Sequence, residues 1–337
     1  MISALFRNRV PGALLAAGLA LTFAPAPFAP AHAHAHAQSY PVEVKNCFQT
    51  ARFDAPPKRP MVHDVNMTQT MLDLGLADRL VAVSGIAGAE RHLIAPPGAV
   101  AALPQLPDRA PTLEAVLAAD PDFLFAGWSY GFNEARGLTP ARLAEMGVAT
   151  YTLRESCIRI GPREPISMDT LYADLLALGR IFAIADRAEA MVADFRRRVA
   201  AVTRLTGTAA RRPRVMYCDD CHTDAAPLSV GREGMTSLLM ELAGGRNIFD
   251  DIANSYVRVS WEEMARRDPQ WIIVSDHRVP AEAAIRYLLS APQLADVEAV
   301  RKRQFIVLTY AEQTPSTRNV DALERMARTL HPELFTP

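Results

Sequence analysis

Cys218-Asp219-Asp220-Cys221-His222 is where this 337-residue chain comes nearest to a reaction centre, because C-x-x-C-H is the pattern that carries covalent c-type haem. The same five residues also suit a local Cys218–Cys221 disulfide, or thiols that hold a metal. Covalent haem needs a large dedicated pocket and a second axial ligand, and this motif closes an expected strand, so the disulfide is the expected state. A thioredoxin-like role is weaker still, since such a motif opens a helix and Pro227 and Gly231 interrupt one here. His222, Asp276 and His277 could instead offer nitrogen and oxygen ligands to a bare Zn²⁺ or Mn²⁺ ion. There is no His-rich loop, and of the other histidines beyond residue 37 (His63, His92, His331), His63 suits a strand core. No glycine-rich phosphate loop occurs, and Gly244-Gly245 follows a helix as its C-terminal cap. No nucleophile elbow supports hydrolysis. The chain is expected to be no enzyme, to need no cofactor and to hold no dedicated metal ion.

The cysteines are read against the compartment. Arg7 and Arg9 precede an apolar run from Ala13 to Phe23, and Ala35-x-Ala37 offers small residues for cleavage, so residues 1–37 are expected to be a signal peptide cut near Ala37. The apolar run is short for a membrane span, and Cys47 lies too far beyond it to be lipidated. The mature protein is therefore expected in an oxidising periplasm, free and soluble. There Cys47 and Cys157, before and after the strands of the first half, are expected to be bridged. The loop closed would hold 110 residues, worth nominally about 4–5 kcal/mol in the chain-entropy treatment. With 36 basic against 37 acidic side chains the net charge is -1, and losing Arg7 and Arg9 takes it to -3. That excludes a basic surface for nucleic acid or an anionic membrane. Half of the residues are hydrophobic, which excludes a largely disordered chain.

The elements that must position these residues alternate between two periods. Strands are predicted at Pro60–Val65, Arg79–Gly85, Asp122–Ala126 and Ala149–Leu153. Helices are predicted at Thr68–Leu76, Leu113–Ala119 and Pro140–Met146, with a proline-rich connection from Pro96 through Pro107 to Pro111. A helix over Met168–Phe182 follows, then a second that Asp186 and Glu189 open as a capping box, running to about Leu205. The alternation restarts with strands at Arg214–Cys218, Trp271–Ser275 and Phe305–Leu308. Helices accompany them at Met235–Ala243, Trp261–Arg267, Ala281–Leu289 and Asn319–His331. This is an α/β class of two Rossmann-like lobes joined by a long connecting helix. The expected divisions are an arm over 38–58, a first lobe over 59–165, a connector over 166–206 and a second lobe over 207–337. Thr112-Leu113-Glu114 leading to Asp120-Pro121 recurs as Ser260-Trp261-Glu262 leading to Asp268-Pro269, each position 148 residues later. Two lobes with one repeated element suggest a pseudo-symmetric pair around a shared cleft.

On these residues the chain resembles the helical-backbone substrate-binding proteins of bacterial ABC importers. Further stretches carry the likeness: Met61-Val62-His63-Asp64-Val65-Asn66 into Met71-Leu72-Asp73-Leu74-Gly75, and above all Glu241-Leu242-Ala243-Gly244-Gly245-Arg246-Asn247-Ile248-Phe249. The resemblance spans about Arg59 to His331. It implies capture of a metal chelate (ferric siderophore, haem or cobalamin), delivery to a permease in the inner membrane, and a monomer. It also implies that Glu114 and Glu262 dock on permease arginines, although each equally suits the first turn of its helix. Ligand is expected beyond the strand ends. The candidates are Asn66, Met67, Trp128, Ser129, Tyr130 and Arg154 in the first lobe. In the second they are Asp219, Asp220, His222, Tyr256, Arg258, Asp276, His277, Tyr310, Glu312 and Arg318. Trp128, Tyr130, Tyr256 and Arg258 supply the aromatic and cationic surface that a bulky chelate needs.

Overall fold

Pro60-Met61-Val62-His63 is buried along its whole length, as a strand covered on both faces must be, and it starts the first of two parallel sheets. The computed structural model describes residues 38–86, 94, 96–106, 110–162 and 165–335. The expected signal segment, His92 and Pro107 lie outside the described residues. The first lobe opens with an antiparallel hairpin, β1 (Val42–Asn46) and β2 (Gln49–Phe53), followed by β3 (Pro60–His63) and helix α1 (Val65–Asp73). It continues through β4 (Ala82–Ser84), α2 (Leu113–Ala118), β5 (Phe123–Trp128), β6 (Gly131–Phe132), α3 (Pro140–Glu145) and β7 (Ala149–Thr152). β4, β3, β5 and β7 lie side by side in that order, all parallel, with two-residue β6 along the end of β5.

Two helices follow, α4 (Met168–Ile181) and α5 (Ala185–Thr206). Gly179 lets them meet closely, since a Cβ there would lie 2.4 Å from Ala188. The expected capping box at Asp186 and Glu189 is not made: Ile184 occupies the cap position, and Asp186 sits inside the first turn, where it favours the helix dipole. The box occurs one helix earlier, between Ser167 and Thr170. The second lobe contains β8 (Arg214–Cys218), β9 (Leu228–Val230), α6 (Met235–Leu242), β10 (Arg246–Asn247), β11 (Tyr256–Arg258) and α7 (Trp261–Arg267). Then come β12 (Trp271–Asp276), α8 (Ala281–Ser290), α9 (Glu298–Arg301), β13 (Phe305–Thr309), α10 (Tyr310–Gln313) and α11 (Asn319–Leu330). Its sheet runs β10-β8-β12-β13, again all parallel, with β9 and β11 a separate antiparallel pair.

Counted within each lobe, both main sheets have strand order 2-1-3-4. The repeat seen in the sequence is therefore a repeat of topology. Its details recur at the offset of 148: Asp120 and Asp268 both adopt positive φ, 49° and 45°. Arg59 donates to the Asp120 carbonyl at 2.6 Å, as Arg214 does to the Asp268 carbonyl at 2.7 Å. Asp122 accepts the backbone amides that open β3, and Gln270 accepts the amide that opens β8. The main apolar core continues from the hairpin through α1, α4 and α5 into the inner face of the second sheet. Smaller clusters cover the outer faces, around Leu124 and Leu143 in one lobe and Ile272 and Phe249 in the other.

Candidate functional site

In a 2-1-3-4 sheet the crevice opens between the first and third strands, because the connections from those two leave to opposite faces. Four non-glycine residues stand in the left-handed region of φ just past those strand ends: Asp64 (75°) after β3, Ser129 (64°) after β5, Asp220 (57°) after β8 and Arg278 (58°) after β12. Backbone of this kind costs on the order of 1–3 kcal/mol per residue and persists where surrounding structure imposes it, typically at functional sites. The two switch points face each other across a cavity of about 340 Å³ whose walls include Asp64, Ser129, Arg136, His277, Arg278 and Tyr310.

Asp64 explains both a boundary and a charge. Its carboxylate accepts from the Val65 amide at 2.8 Å, so the strand stops at His63 and α1 begins at Val65 instead of Thr68. Its other oxygen accepts from the Tyr310 hydroxyl of the second lobe at 3.1 Å, and Tyr310 stacks on His277 with ring centroids 4.1 Å apart. Burial raises the Asp64 carboxyl to about 6, against the pull of the Val65 amide, Tyr310 and the Arg278 charge. Burial likewise raises Asp219 from the usual range, with the charge of Asp220 adding to it. His63 is held neutral, its pKa lowered to about 4 by burial, and its Nδ1 lies 2.9 Å from Ser84 Oγ.

Where the lobes meet, buried Tyr130 and Glu155 of the first lobe lie near half-buried Tyr256 of the second; none of the three lines the 340 Å³ cavity, and Glu155 lines another of about 210 Å³. Burial raises Glu155 to about 7, opposed by Arg159, whose guanidinium crosses to Ser255 Oγ at 3.4 Å. Burial also holds the phenols of Tyr130, Tyr256 and Tyr310 neutral, far above their ordinary range. The Tyr130 hydroxyl faces the Glu155 carboxyl and the Tyr256 hydroxyl and opposes the rise that burial imposes on each. β11 pairs with β9 and so pins Tyr256, whose ring also meets Tyr217 edge-on at 6.5 Å.

The other residues expected at the ligand have these places in the structure. Trp128 lines a different groove of about 650 Å³ between the hairpin and α3, packing on Phe132 at 6.0 Å. Asn66 donates to the Pro315 carbonyl at 3.0 Å, and Arg318 binds Asp73 at 2.6 Å beside Thr317, so both join the lobes. Met67 is core, and Glu312 caps α10 and binds Arg325 at 2.7 Å. Asp276 caps α8 through the Ala281 amide. Arg258 pairs with Asp220 at 3.6 Å and donates to the Ala226 carbonyl, closing a local contact. Arg154 lines a separate cavity of about 210 Å³. His222 is half-buried with Nδ1 unpartnered among the described residues, and it does not line the 340 Å³ cavity. Sequence reasoning missed Asp64, Arg136, Glu155, Arg159 and Arg278.

Cys47–Cys157 and Cys218–Cys221 are both disulfides, so neither thiol of the C-x-x-C-H motif is available for haem. Among the described residues no group of three or more His, Cys, Asp and Glu is arranged for a metal ion. Glu114 and Glu262 are exposed on their first helical turns. Each is held below the usual carboxyl range by its own backbone amide, then by the hydroxyl of its Thr112 or Ser260 cap.

The chain is 29% identical over 319 residues to a cobalamin-binding protein of Halobacterium salinarum, covering 91% of this chain and 79% of that one. It is 26% identical over 272 residues to a vitamin B12-binding protein of Vibrio cholerae, covering 80% and 88%. A periplasmic binding protein from Veillonella parvula superposes with a TM-score of 0.71 at 25% identity, covering 86% of this chain and 97% of that one. A periplasmic haem-binding protein from Pseudomonas aeruginosa gives 0.68 at 25%, covering 82% and 93%. Among the described residues no helix is long and apolar enough to cross a membrane. The periplasmic binding protein family model matches residues 64–311, and the chain belongs to that family.

Proposed function

We propose that this protein is the periplasmic receptor for a corrinoid of the cobalamin class, and that it passes its ligand unchanged to an ABC permease. The observation that carries the reading is the cavity between the two switch points, where the buried Asp64 of the first lobe meets the Tyr310 hydroxyl of the second. A corrin rim carries many neutral amides, which both donate and accept. Asp64, Glu155 and Asp219 are carboxyls that burial makes hard to ionise, and they accept amide N–H groups or, protonated, donate to amide carbonyls. A ferric catecholate brings several negative charges, and haem brings two carboxylates, to the same acids. The curated relatives named for cobalamin and vitamin B12 support this choice.

At about 340 Å³ the cavity is at the small end for ligand sites, so it takes one side of a corrinoid while the rest occupies a slightly opened cleft. Delivery rests on Glu114 and Glu262, ionised and equivalent on the two lobes. Equilibrium dialysis of the mature protein against cyanocobalamin, haemin and a ferric hydroxamate tests the ligand class. Saturable binding of cyanocobalamin in preference to the other two is expected. Preference for haemin or the hydroxamate would overturn the reading.

A further inference from the structure

The arginines of this fold are mostly committed. Arg198 binds Asp321 and Glu324, Arg214 binds Asp268 and Glu298, Arg267 binds Glu263 and Asp251, and Arg318 binds Asp73. Arg136 and Arg278 differ. Both are exposed, they line the 340 Å³ cavity from opposite lobes, and neither guanidinium has a hydrogen bond or ion pair to the described residues. Each is placed by its backbone. Arg136 ends a short turn in which Asn133 Oδ1 accepts the Arg136 amide at 3.1 Å, and Gly137 then turns the chain away at a φ of 65°. Arg278 occupies a left-handed position that a long side chain adopts only at a cost, two residues past the end of β12.

We propose that Arg136 and Arg278 form a clamp, one jaw on each lobe, for the phosphodiester in the nucleotide loop of a complete cobalamin. The inference rests on the corrinoid reading above and adds what the receptor distinguishes: corrinoids with the nucleotide from those without it. The charges lining the cavity support this. Among the described residues Asp64 is the single acid lining it, so there two guanidinium groups leave a surplus of one positive charge when it is ionised and two when it is not. The phosphodiester is the one anionic side group of a cobalamin, the other side chains being neutral amides. A phosphate presents oxygens that a guanidinium fork binds in pairs. Because the jaws stand on different lobes, the contact forms fully only when the cleft is closed on the ligand, which couples recognition of the loop to closure.

The test is calorimetric titration of the wild type, Arg136→Gln and Arg278→Gln with cyanocobalamin and with cyanocobinamide, which lacks the nucleotide loop, at low and high salt. The wild type is expected to favour cobalamin, with an affinity that falls as salt rises. Each substitution is expected to weaken cobalamin roughly tenfold and to leave cobinamide unchanged, as loss of one contact to a charged group would. Equal weakening of both corrinoids, or none for cobalamin, overturns the clamp while the corrinoid reading stands. If the folded wild type binds neither corrinoid, both fall.

Discussion

Three buried carboxyls are expected to make the fold less stable as pH rises toward neutrality. Burial raises Asp64 from 3.8 to about 6, Glu155 from 4.5 to about 7 and Asp174 from 3.8 to about 7. Each group binds its proton more tightly folded than unfolded. Its contribution is therefore complete below the unfolded value and is lost as pH rises through the folded one. The melting temperature is expected to fall between pH 5 and pH 8. Glu155→Gln, which keeps the shape of the protonated acid, is expected to flatten that fall, by at most about 3 kcal/mol between the two ends. A wild-type melting profile level from pH 5 to pH 8, or a Gln variant with an unchanged slope, would contradict this. Tyr256→Ala removes an aromatic wall from the cleft and is expected to weaken corrinoid binding by about 1–3 kcal/mol by calorimetry. Reading strand ends from the sequence led to His277 and Tyr310, which line the cavity between the switch points, and to Tyr130 and Tyr256, which lie close to Tyr310. It also led to Asn66, Met67 and Arg318, because a residue past a strand end can close the fold as readily as face a ligand. Glu155, Arg159 and Arg136 sit in short turns whose sequences show neither a two-residue nor a 3.6-residue period, so no pattern marked them.

At the scale of elements, the hairpin of β1 and β2 is joined to the first lobe in two ways. Asn46 uses its side-chain amide as a strand would, donating to the Thr150 carbonyl at 3.0 Å and accepting the Thr152 amide at 2.9 Å along the open edge of β7. The Cys47–Cys157 disulfide closes a loop of 110 residues beside it. Replacing both cysteines with Ser is expected to cost up to about 4 kcal/mol in denaturant unfolding. Corrinoid affinity is expected to fall by less than stability does, since Cys157 shares a turn with Glu155 and Arg159 but neither cysteine lines the 340 Å³ cavity. A large loss of affinity with little loss of stability would place the hairpin in the binding site instead. The helices and long strands were legible because their apolar periods run for several turns or alternations. β1, β2, β9 and β11 were not, being short strands whose polar faces look like loop. The start of α1 was misplaced because Asp64 both ends a strand and caps a helix.

For the whole molecule, one apolar core runs beneath both lobes, and the contacts of Asn66 with Pro315 and of Asp73 with Arg318 cross between them. Such a body is expected to open by a small rotation and not by a wide hinge. Its outer ends carry the repeated acids. Glu114→Ala with Glu262→Ala is expected to leave corrinoid affinity unchanged and to abolish uptake in cells that depend on this receptor; uptake at the wild-type rate would exclude docking through these residues. The most direct test of the account is a crystal structure of the mature protein grown with cyanocobalamin. The corrin is expected in the cleft, its rim amides against Tyr130, Glu155 and Tyr256, and its phosphate between Arg136 and Arg278. A corrinoid bound in the groove beside Trp128, or a cleft left empty at saturating ligand, would contradict it.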